Sequence, residues 1–446
     1  MEYDVIVVGA GPGGYEAALK CASLGMKTAC VEKEKTLGGT CLNVGCIPSK
    51  ALLQSSEHYA FTKDHAKEHG IFCEPTYDFS KMMQRKDEVV ESLTQGIDGL
   101  FQRAKVDWLK GEASFQSSHE IRVGADVYRA KQIILATGSE ATPLPFLPYD
   151  EKTILSSTGA LALTEVPKNL LVIGGGVIGC ELASVYSRLG AEVTIVEMLD
   201  HICDGMDETI GKNLLKILKK QGMTFYLSAR VTEANGTTLS VAYEGQTLSL
   251  EAEKILVAVG RRPYSMNLNL KAAALQPNER GFLPVNGRFQ TAQPHIYAIG
   301  DLIEGPMLAH RASEEAIAVA EIIAGETPSV NYMALPNIIY THPEAAAVGL
   351  TEQEAKAKSL QYNVGQSPLK ANGRARAAGT TDGLVKVLSD KKTGRLLGIH
   401  ILSPAASELI QEGVLALQNR MTLTQLRHTP HGHPTLSEAI LHACQA

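Results

Sequence analysis

Two cysteines five positions apart stand in the segment Gly38-Gly39-Thr40-Cys41-Leu42-Asn43-Val44-Gly45-Cys46-Ile47-Pro48-Ser49-Lys50. A bend or an irregular helical start can bring thiols at that spacing within disulfide distance, and Gly38, Gly39 and Gly45 supply the backbone freedom for it. At a helix N-terminus and near Lys50, a thiolate would be stabilised and reactive. Zinc would need further ligands at suitable spacing, and neither a CxxC nor an HxxxH partner accompanies the pair, so no metal is expected. An isolated pair of this kind reads most simply as two inert buried thiols. Beside a dinucleotide signature and Lys50, a redox disulfide is the better reading.

A second chemical candidate lies near the end of the chain, in His433-Pro434-Thr435-Leu436-Ser437-Glu438. A dithiol attacks a disulfide only as thiolate, so a base must take its proton near pH 7, and histidine suits that task. A carboxylate such as Glu438 on one ring nitrogen would fix the tautomer and raise basicity. His431 and His433, two apart just ahead of Pro434, are expected to face different ways. Read alone, either one is more simply a structural or surface histidine.

The elements that must position these groups are visible as an internal repeat. Tyr3 to Val8 is a β-branched run leading into Gly9-Ala10-Gly11-Pro12-Gly13-Gly14, a helical stretch to Leu24, and a second strand that ends at Glu32. Leu170 to Ile173 leads in the same way into Gly174-Gly175-Gly176-Val177-Ile178-Gly179, a helical stretch to Leu189, and a strand that ends at Glu197. First glycine to acid is 32 − 9 = 23 residues in one copy and 197 − 174 = 23 in the other. Gly9 and Gly174 permit the tight turn, Gly11 and Gly176 let the backbone approach a pyrophosphate, and Gly14 and Gly179 let helix and strand pack closely. The helix start then offers unbonded N–H groups to phosphate, and Glu32 and Glu197 would accept from ribose hydroxyls. Two copies mean two dinucleotides. No arginine lies between Glu197 and Met206 to neutralise a 2′-phosphate, so NAD is favoured over NADP at the second.

Elsewhere, Gly138 to Pro148 reads as a linker, 210 to 222 as a helix, and 255 to 259 and 296 to 299 as buried strands. From about 331 a mixed segment with helices at 352–358, 404–419 and 435–444 and strands at 384–388 and 396–402 reads as a separate α+β domain. The interval 60–130 carries little motif content. With 42 basic and 48 acidic side chains the net charge is −6, which argues against a nucleic-acid or anionic-membrane surface. Eight cysteines in 446 residues are too few for a disulfide-stapled secreted scaffold. The longest apolar stretch, Leu170 to Cys180, is interrupted by glycines, and no targeting segment is visible, so a cytoplasmic location is expected. Cys21, Cys30, Cys73, Cys180, Cys203 and Cys444 receive no role.

Together these residues resemble the pyridine nucleotide–disulfide oxidoreductases. The likeness runs from Asp4 to the C-terminus and includes GGTCLNVGCIPSK, both glycine fingerprints, Ala136-Thr137-Gly138, GRRP at 260–263, AIGD at 298–301, Pro306 to His310, YTHPE at 340–344 and the segment from His433 to Glu438. Within the family, the branch that oxidises dihydrolipoyl groups is the most similar. The resemblance implies an α/β fold with two Rossmann-like domains and a C-terminal α+β domain that makes a homodimer. The domains would be 1–142 and 267–330 for FAD, 143–266 for NAD and 331–446 for dimerisation.

It further implies FAD contacts from Gly9, Gly11, Gly14, Glu32, Lys33, Thr40, Lys50, Gly111, Thr137, Gly138, Ser139, the ribityl-binding Asp301, and Met307, Leu308, Ala309 and His310. NAD would meet Gly174, Gly176, Val177, Ile178, Gly179, Glu181, Glu197, Val231 and Gly260. Cys46 would lie against the flavin and Cys41 would exchange with substrate, with Lys50 pairing with Glu181. His433, held by Glu438, would act as base in the partner's site. The implied activity is oxidation of dihydrolipoyl groups, borne by an acyltransferase or lipoyl-carrier protein, with reduction of NAD+, within 2-oxo acid dehydrogenase or glycine cleavage complexes. Glutathione and mercuric reductases are the nearest alternatives. The first would need a basic pocket in place of Glu197, and the second a C-terminal cysteine pair where only Cys444 stands. A flavoprotein kept as a scaffold would need none of Cys41, Cys46, Lys50, His433 and Glu438. Gly432, where the family often has alanine, is a departure expected to loosen its loop.

Overall fold

The computed structural model describes every residue from Met1 to Ala446, and the chain divides into two compact units. The first comprises 1–51, 80–142 and 260–330; the second comprises 52–79, 143–259 and 331–446.

The first unit is built on a seven-stranded sheet. The strand Glu2–Val8 sits at its centre, parallel to Thr28–Glu32 on one side and to Asp126–Leu135 on the other. Its run of valines and isoleucine is buried on both faces, as a parallel strand covered on both sides requires. Asp107–Lys110 extends the sheet beyond Thr28–Glu32, and Ile296–Ala298 pairs in parallel with Asp126–Leu135. An antiparallel meander, Ala113–Ser117, Glu120–Val123 and Asp126–Leu135, completes it. The helix Pro12–Ser23 follows the first glycine turn with proline in its opening turn, where the missing N–H costs nothing. The segment expected as a linker is partly ordered pairing: Ser139–Ala141 pairs with Arg261–Pro263, and Leu144 bridges to Leu147.

The second unit repeats the βαβ arrangement. Asn169–Ile173 is parallel to Glu192–Val196 and to Lys254–Val257 in a five-stranded sheet. The intervening helix Val177–Arg188 is buried from Gly179 through Tyr186. Helix Glu208–Lys220 is capped by Asp207, whose carboxylate accepts from Thr209 N–H at 2.9 Å, and ends on two lysines that complement its dipole. A three-stranded antiparallel sheet, Arg230–Asn235, Thr238–Tyr243 and Gln246–Glu251, was not expected. The C-terminal segment forms a five-stranded antiparallel sheet in the order Asn337–Ile339, Glu344–Gly349, Leu396–Ser403, Leu384–Asp390 and Tyr362–Pro368. Helix Ala406–Gln418 packs so closely on it that a Cβ on Gly413 would meet Val348 and Ile399 at 3.0 to 3.1 Å. No helix is long and apolar enough to cross a membrane.

Helix Phe79–Ala104 and the strands Asp107–Lys110, Ala113–Ser117 and Glu120–Val123 fill much of the interval that carried little motif content. The fold is α/β with two Rossmann-like units and an α+β C-terminal segment, as the sequence led one to expect.

Candidate active site

Cys41 and Cys46 belong to two consecutive helices. Cys41 lies in the short helix Gly39–Val44, and Cys46 is the first residue of Cys46–Asp64. Gly45 makes the turn between them, because a Cβ there would stand 2.9 Å from the Thr40 carbonyl oxygen. The Asn43 amide donates to the Leu37 and Gly39 carbonyls at 3.1 and 2.9 Å and ties the loop down. Gly39 adopts φ +55, and a Cβ on it would come 2.6 Å from Gly11 Cα. The cysteine loop is therefore packed directly against the first glycine fingerprint.

Cys46 sits where the N–H groups and dipole of a helix start favour a thiolate, with Lys50 one turn along. Both cysteines are partly buried thiols in this structure. Cys41 is hydrogen-bonded to Cys46, and this bond, followed by burial, holds its thiol well above the ordinary range, although Lys50 pulls it the other way. In the dithiol form the Cys46 hydrogen bond thus favours the protonated form of Cys41, which leaves Cys46 as the member of the pair nearer the helix start.

The two fingerprints are built alike. Gly9 and Gly174 have φ +96 and +107, and a Cβ on either would lie about 2.5 Å or less from a carbonyl of the neighbouring strand end, Ala136 at 2.5 Å and Ala258 at 2.4 Å. A Cβ on Gly14 would strike Gly9 O at 1.8 Å, and one on Gly179 would strike Gly174 O at 2.0 Å. Glu32 accepts from Ala10 N–H at 2.8 Å, and Glu197 accepts from the equivalent Gly175 N–H at 2.6 Å. Neither Gly11 nor Gly176 has a side-chain cap on its helix, so the first amides remain available to phosphate. Val177 and Ile178 open the second helix, and Val231 lies buried in the adjacent antiparallel sheet. These features fit two dinucleotides.

The other predicted FAD contacts gather in the first unit. Ser139 Oγ donates to Asp301 Oδ2 at 2.5 Å and accepts from Arg261 Nε at 2.8 Å. Thr137 Oγ1 donates to Tyr264 O at 2.5 Å, and Lys33 Nζ stands 4.0 Å over the Tyr264 ring. Gly111 and Gly138 have φ +140 and +70. Met307 and Leu308 lead into helix Ala309–Ile323, which also carries His310.

The sequence did not single out the pair that holds these segments. Buried Arg311 donates to Glu304 O, Pro306 O and Glu315 at 2.7 to 2.9 Å, and Glu315 accepts from Gly300 N–H at 2.7 Å. The only available signal was an Arg and a Glu four apart in a helix rich in alanine and isoleucine.

In the second unit Glu181 is almost fully buried and accepts from Tyr340 N–H at 3.0 Å. Gly260 belongs to the first unit, where its carbonyl accepts from Thr142 N–H at 3.0 Å. His433 Nδ1 lies 2.9 Å from Glu438 Oε1, and Glu438 Oε2 accepts from Thr435 N–H at 2.9 Å. The two histidines do diverge: His431 is buried against Glu412 at 3.0 Å, whereas the His433 side chain is 78% exposed. A Cβ on Gly432 would meet only Thr435 Cγ2 at 3.6 Å, and Thr435 Oγ1 donates to Gly432 O at 2.7 Å, so the loop is tied despite the glycine.

Residues 3–316 match the pyridine nucleotide-disulphide oxidoreductase family and residues 335–444 match its dimerisation domain. A dihydrolipoyl dehydrogenase of Trypanosoma brucei brucei is 48% identical over 460 residues, covering 100% of this chain and 96% of that protein. Dihydrolipoyl dehydrogenase 3 of Pseudomonas putida is 47% identical over 453 residues, covering 99% of this chain and 97% of that protein. The crystal structure of LpdA from Mycobacterium tuberculosis superposes with a TM-score of 0.91 at 27% identity, covering 99% of each chain. With its doubled fingerprint, its cysteine loop and these full-length matches, the chain belongs to the pyridine nucleotide-disulphide oxidoreductase family.

Proposed function

We propose that this protein oxidises dihydrolipoyl groups to lipoyl disulfide and reduces NAD+ to NADH, as the relatives named dihydrolipoyl dehydrogenase suggest by their names. The observation that carries the reading is the placement of Cys46 at the start of a helix, hydrogen-bonded to Cys41, in a loop whose Gly39 packs on Gly11 of the first fingerprint. In the oxidised form, a substrate thiolate attacks Cys41, breaks the Cys41–Cys46 bond and forms a mixed disulfide. The second substrate sulfur then closes the lipoyl ring and leaves both cysteines reduced. Two electrons have passed from substrate to protein. Bound FAD supplies the two-electron exchange that links the reduced pair to NAD+.

His433 takes the substrate proton. Its Nδ1 is engaged by Glu438, so Nε2 is the nitrogen that faces outward to accept it. The same reading has His433 serve the partner subunit's site in a homodimer, to which the matched dimerisation domain points. It assigns FAD to 1–142 and 267–330, NAD to 143–266 and the subunit interface to 331–446. Glu197 selects NAD by presenting like charge to a 2′-phosphate. The substrate is a lipoyl-bearing acyltransferase or carrier protein of a 2-oxo acid dehydrogenase or glycine cleavage complex. The compartment is the cytoplasm, where a cysteine pair serves catalysis in preference to structure.

The test is steady-state turnover of the FAD-loaded protein. Dihydrolipoamide with NAD+ supports turnover on this reading. NADPH-dependent reduction of glutathione disulfide without dihydrolipoamide oxidation contradicts it.

A further inference from the structure

Cys180 and Cys203 are absent from the chemistry above, yet their sulfurs are 3.7 Å apart in a buried contact. Both grip one peptide group. Cys180, in the first turn of helix Val177–Arg188, donates its S–H to Gly175 O at 3.3 Å, and Cys203 donates its backbone N–H to the same oxygen at 2.9 Å. On the other side of that residue, Gly175 N–H donates to Glu197 at 2.6 Å. Gly175 is the middle of the second fingerprint, so the Cys180 thiol, the Cys203 amide and Glu197 together fix the turn that the NAD pyrophosphate must approach.

We propose that Cys180 and Cys203 form a second dithiol–disulfide site, whose oxidation by a low-molecular-weight disulfide weakens NAD binding by releasing the Gly175 carbonyl. The inference rests on the placement of NAD at the Gly174–Gly179 turn. Its geometry is favourable, because a disulfide needs the two sulfurs to close from contact to about 2.05 Å. Cys203 lies outside helix and strand, at φ +55, in a stretch whose neighbours Met198, Asp200, His201 and Asp204 are exposed.

The step balances. One cysteine, as thiolate, attacks the small disulfide, breaks its S–S bond and releases one thiol. The other cysteine then displaces the second thiol and closes Cys180–Cys203. The two cysteines lose two protons and two electrons, and the small disulfide is reduced to two thiols. Since both S–H hydrogens are gone, Gly175 O loses its Cys180 donor and retains only the Cys203 amide. The hydrogen bond that Cys203 donates to Cys180, and then burial, hold the Cys203 thiol well above its ordinary range, so the reaction is slow at neutral pH and quickens in alkali.

The test uses the full-length FAD-loaded protein, incubated with 2-hydroxyethyl disulfide at pH 7 and pH 9, and compares it with the same protein kept reduced. Tryptic digestion without reductant should yield the peptide 169–188 linked to 189–212. NADH affinity, read by calorimetry, should fall by roughly threefold to tenfold, the worth of one lost hydrogen bond, while the visible flavin spectrum shows FAD retained. Cys203→Ser, and independently Cys180→Ala, should give no linked peptide, and oxidant should leave their NADH affinity where it stood before treatment. Failure of the linked peptides to form at either pH overturns the pair, and linkage with unchanged NADH affinity overturns its coupling to NAD. An equal loss in Cys203→Ser also overturns it, since Cys41 and Cys46 remain oxidisable there. Reduced protein that binds no NADH overturns the underlying placement of NAD, and the coupling with it.

Discussion

Glu438 holds His433 through Nδ1 at 2.9 Å, and the same carboxylate is itself held by the Thr435 N–H at 2.9 Å. The Thr435 amide, and after it the His433 ring, keep the Glu438 carboxyl below the usual carboxylate range. The acid therefore stays ionised, and the ring orientation stays fixed, to lower pH than an ordinary glutamate would allow. His433→Gln should lower dihydrolipoamide turnover by roughly 10²- to 10⁴-fold. Glu438→Gln should lower it by about tenfold, the worth of one charge-assisted hydrogen bond. Both should keep full flavin content, measured by absorbance of the purified proteins, because neither side chain belongs to a fingerprint. Loss of flavin in either variant would point to a structural role.

The two fingerprints should fail separately. A methyl group on Gly179 would sit 2.0 Å from Gly174 O and one on Gly14 would sit 1.8 Å from Gly9 O, so each substitution must spread its own turn. Gly179→Ala should retain FAD and lose NADH affinity at least about tenfold, given ~1–3 kcal/mol of overpacking strain. Gly14→Ala should be purified with little flavin. Flavin absorbance and NADH calorimetry on both variants check the assignment, and the opposite pattern would reverse it.

On the proposed reading Glu197 would face a 2′-phosphate, and its Oε2 accepts from Gly175 N–H at 2.6 Å. Glu197→Gln should weaken NADH binding by about tenfold through the lost ribose acceptor and narrow the gap between NADH and NADPH. Titration with both nucleotides reads the ratio directly. An unchanged preference would move the selectivity to another residue.

Away from the site, Lys386 is buried with its Nζ 2.8 and 2.9 Å from both Asp207 oxygens and 2.6 Å from Glu352. Burial pushes the Asp207 carboxyl up, but the Lys386 hydrogen bond and further neighbours outweigh it and hold the group below its ordinary value. A depressed folded-state value contributes stability above the unfolded-state value, near 3.9, that is lost as pH falls through the folded one. Lys386→Met leaves Asp207 buried without its cation and should cost about 3–5 kcal/mol in urea unfolding at pH 7. The deficit should begin to shrink below about pH 4 and close as pH falls through the depressed Asp207 value, where the wild type also loses the pair. A constant deficit across pH would contradict the ionic account.

The βαβ units were legible because their information is local. A β-branched run, three glycines and an acid 23 residues on fix strand, turn and helix without reference to the remainder of the chain. His433 and Glu438 are also near in sequence, the second opening the last helix, but His433 took its role from the family likeness, since alone it reads more simply as a surface histidine. The sheet Arg230–Glu251 was missed although Glu244-Gly245, both at positive φ, make the two-residue turn that joins two of its strands. That signal was in the sequence and went unread. Arg311 with Glu315, and Cys180 with Cys203, are another matter. What they hold, the backbone at 300–306 and the Gly175 peptide, is set by tertiary packing, so their residue types alone announced nothing. The linker near 138–148 and the separate segment from about 331 were visible in the sequence itself, whereas the domain ranges 1–142, 143–266 and 267–330 came from family likeness.

The central claim is that Cys41 and Cys46 carry the electrons. Cys46→Ser in the FAD-loaded protein, assayed for dihydrolipoamide oxidation with NAD+, tests it most directly. The account predicts retained flavin and turnover reduced by at least about a thousandfold, as removal of a nucleophile entails. Retained flavin with turnover at the wild-type rate would contradict it.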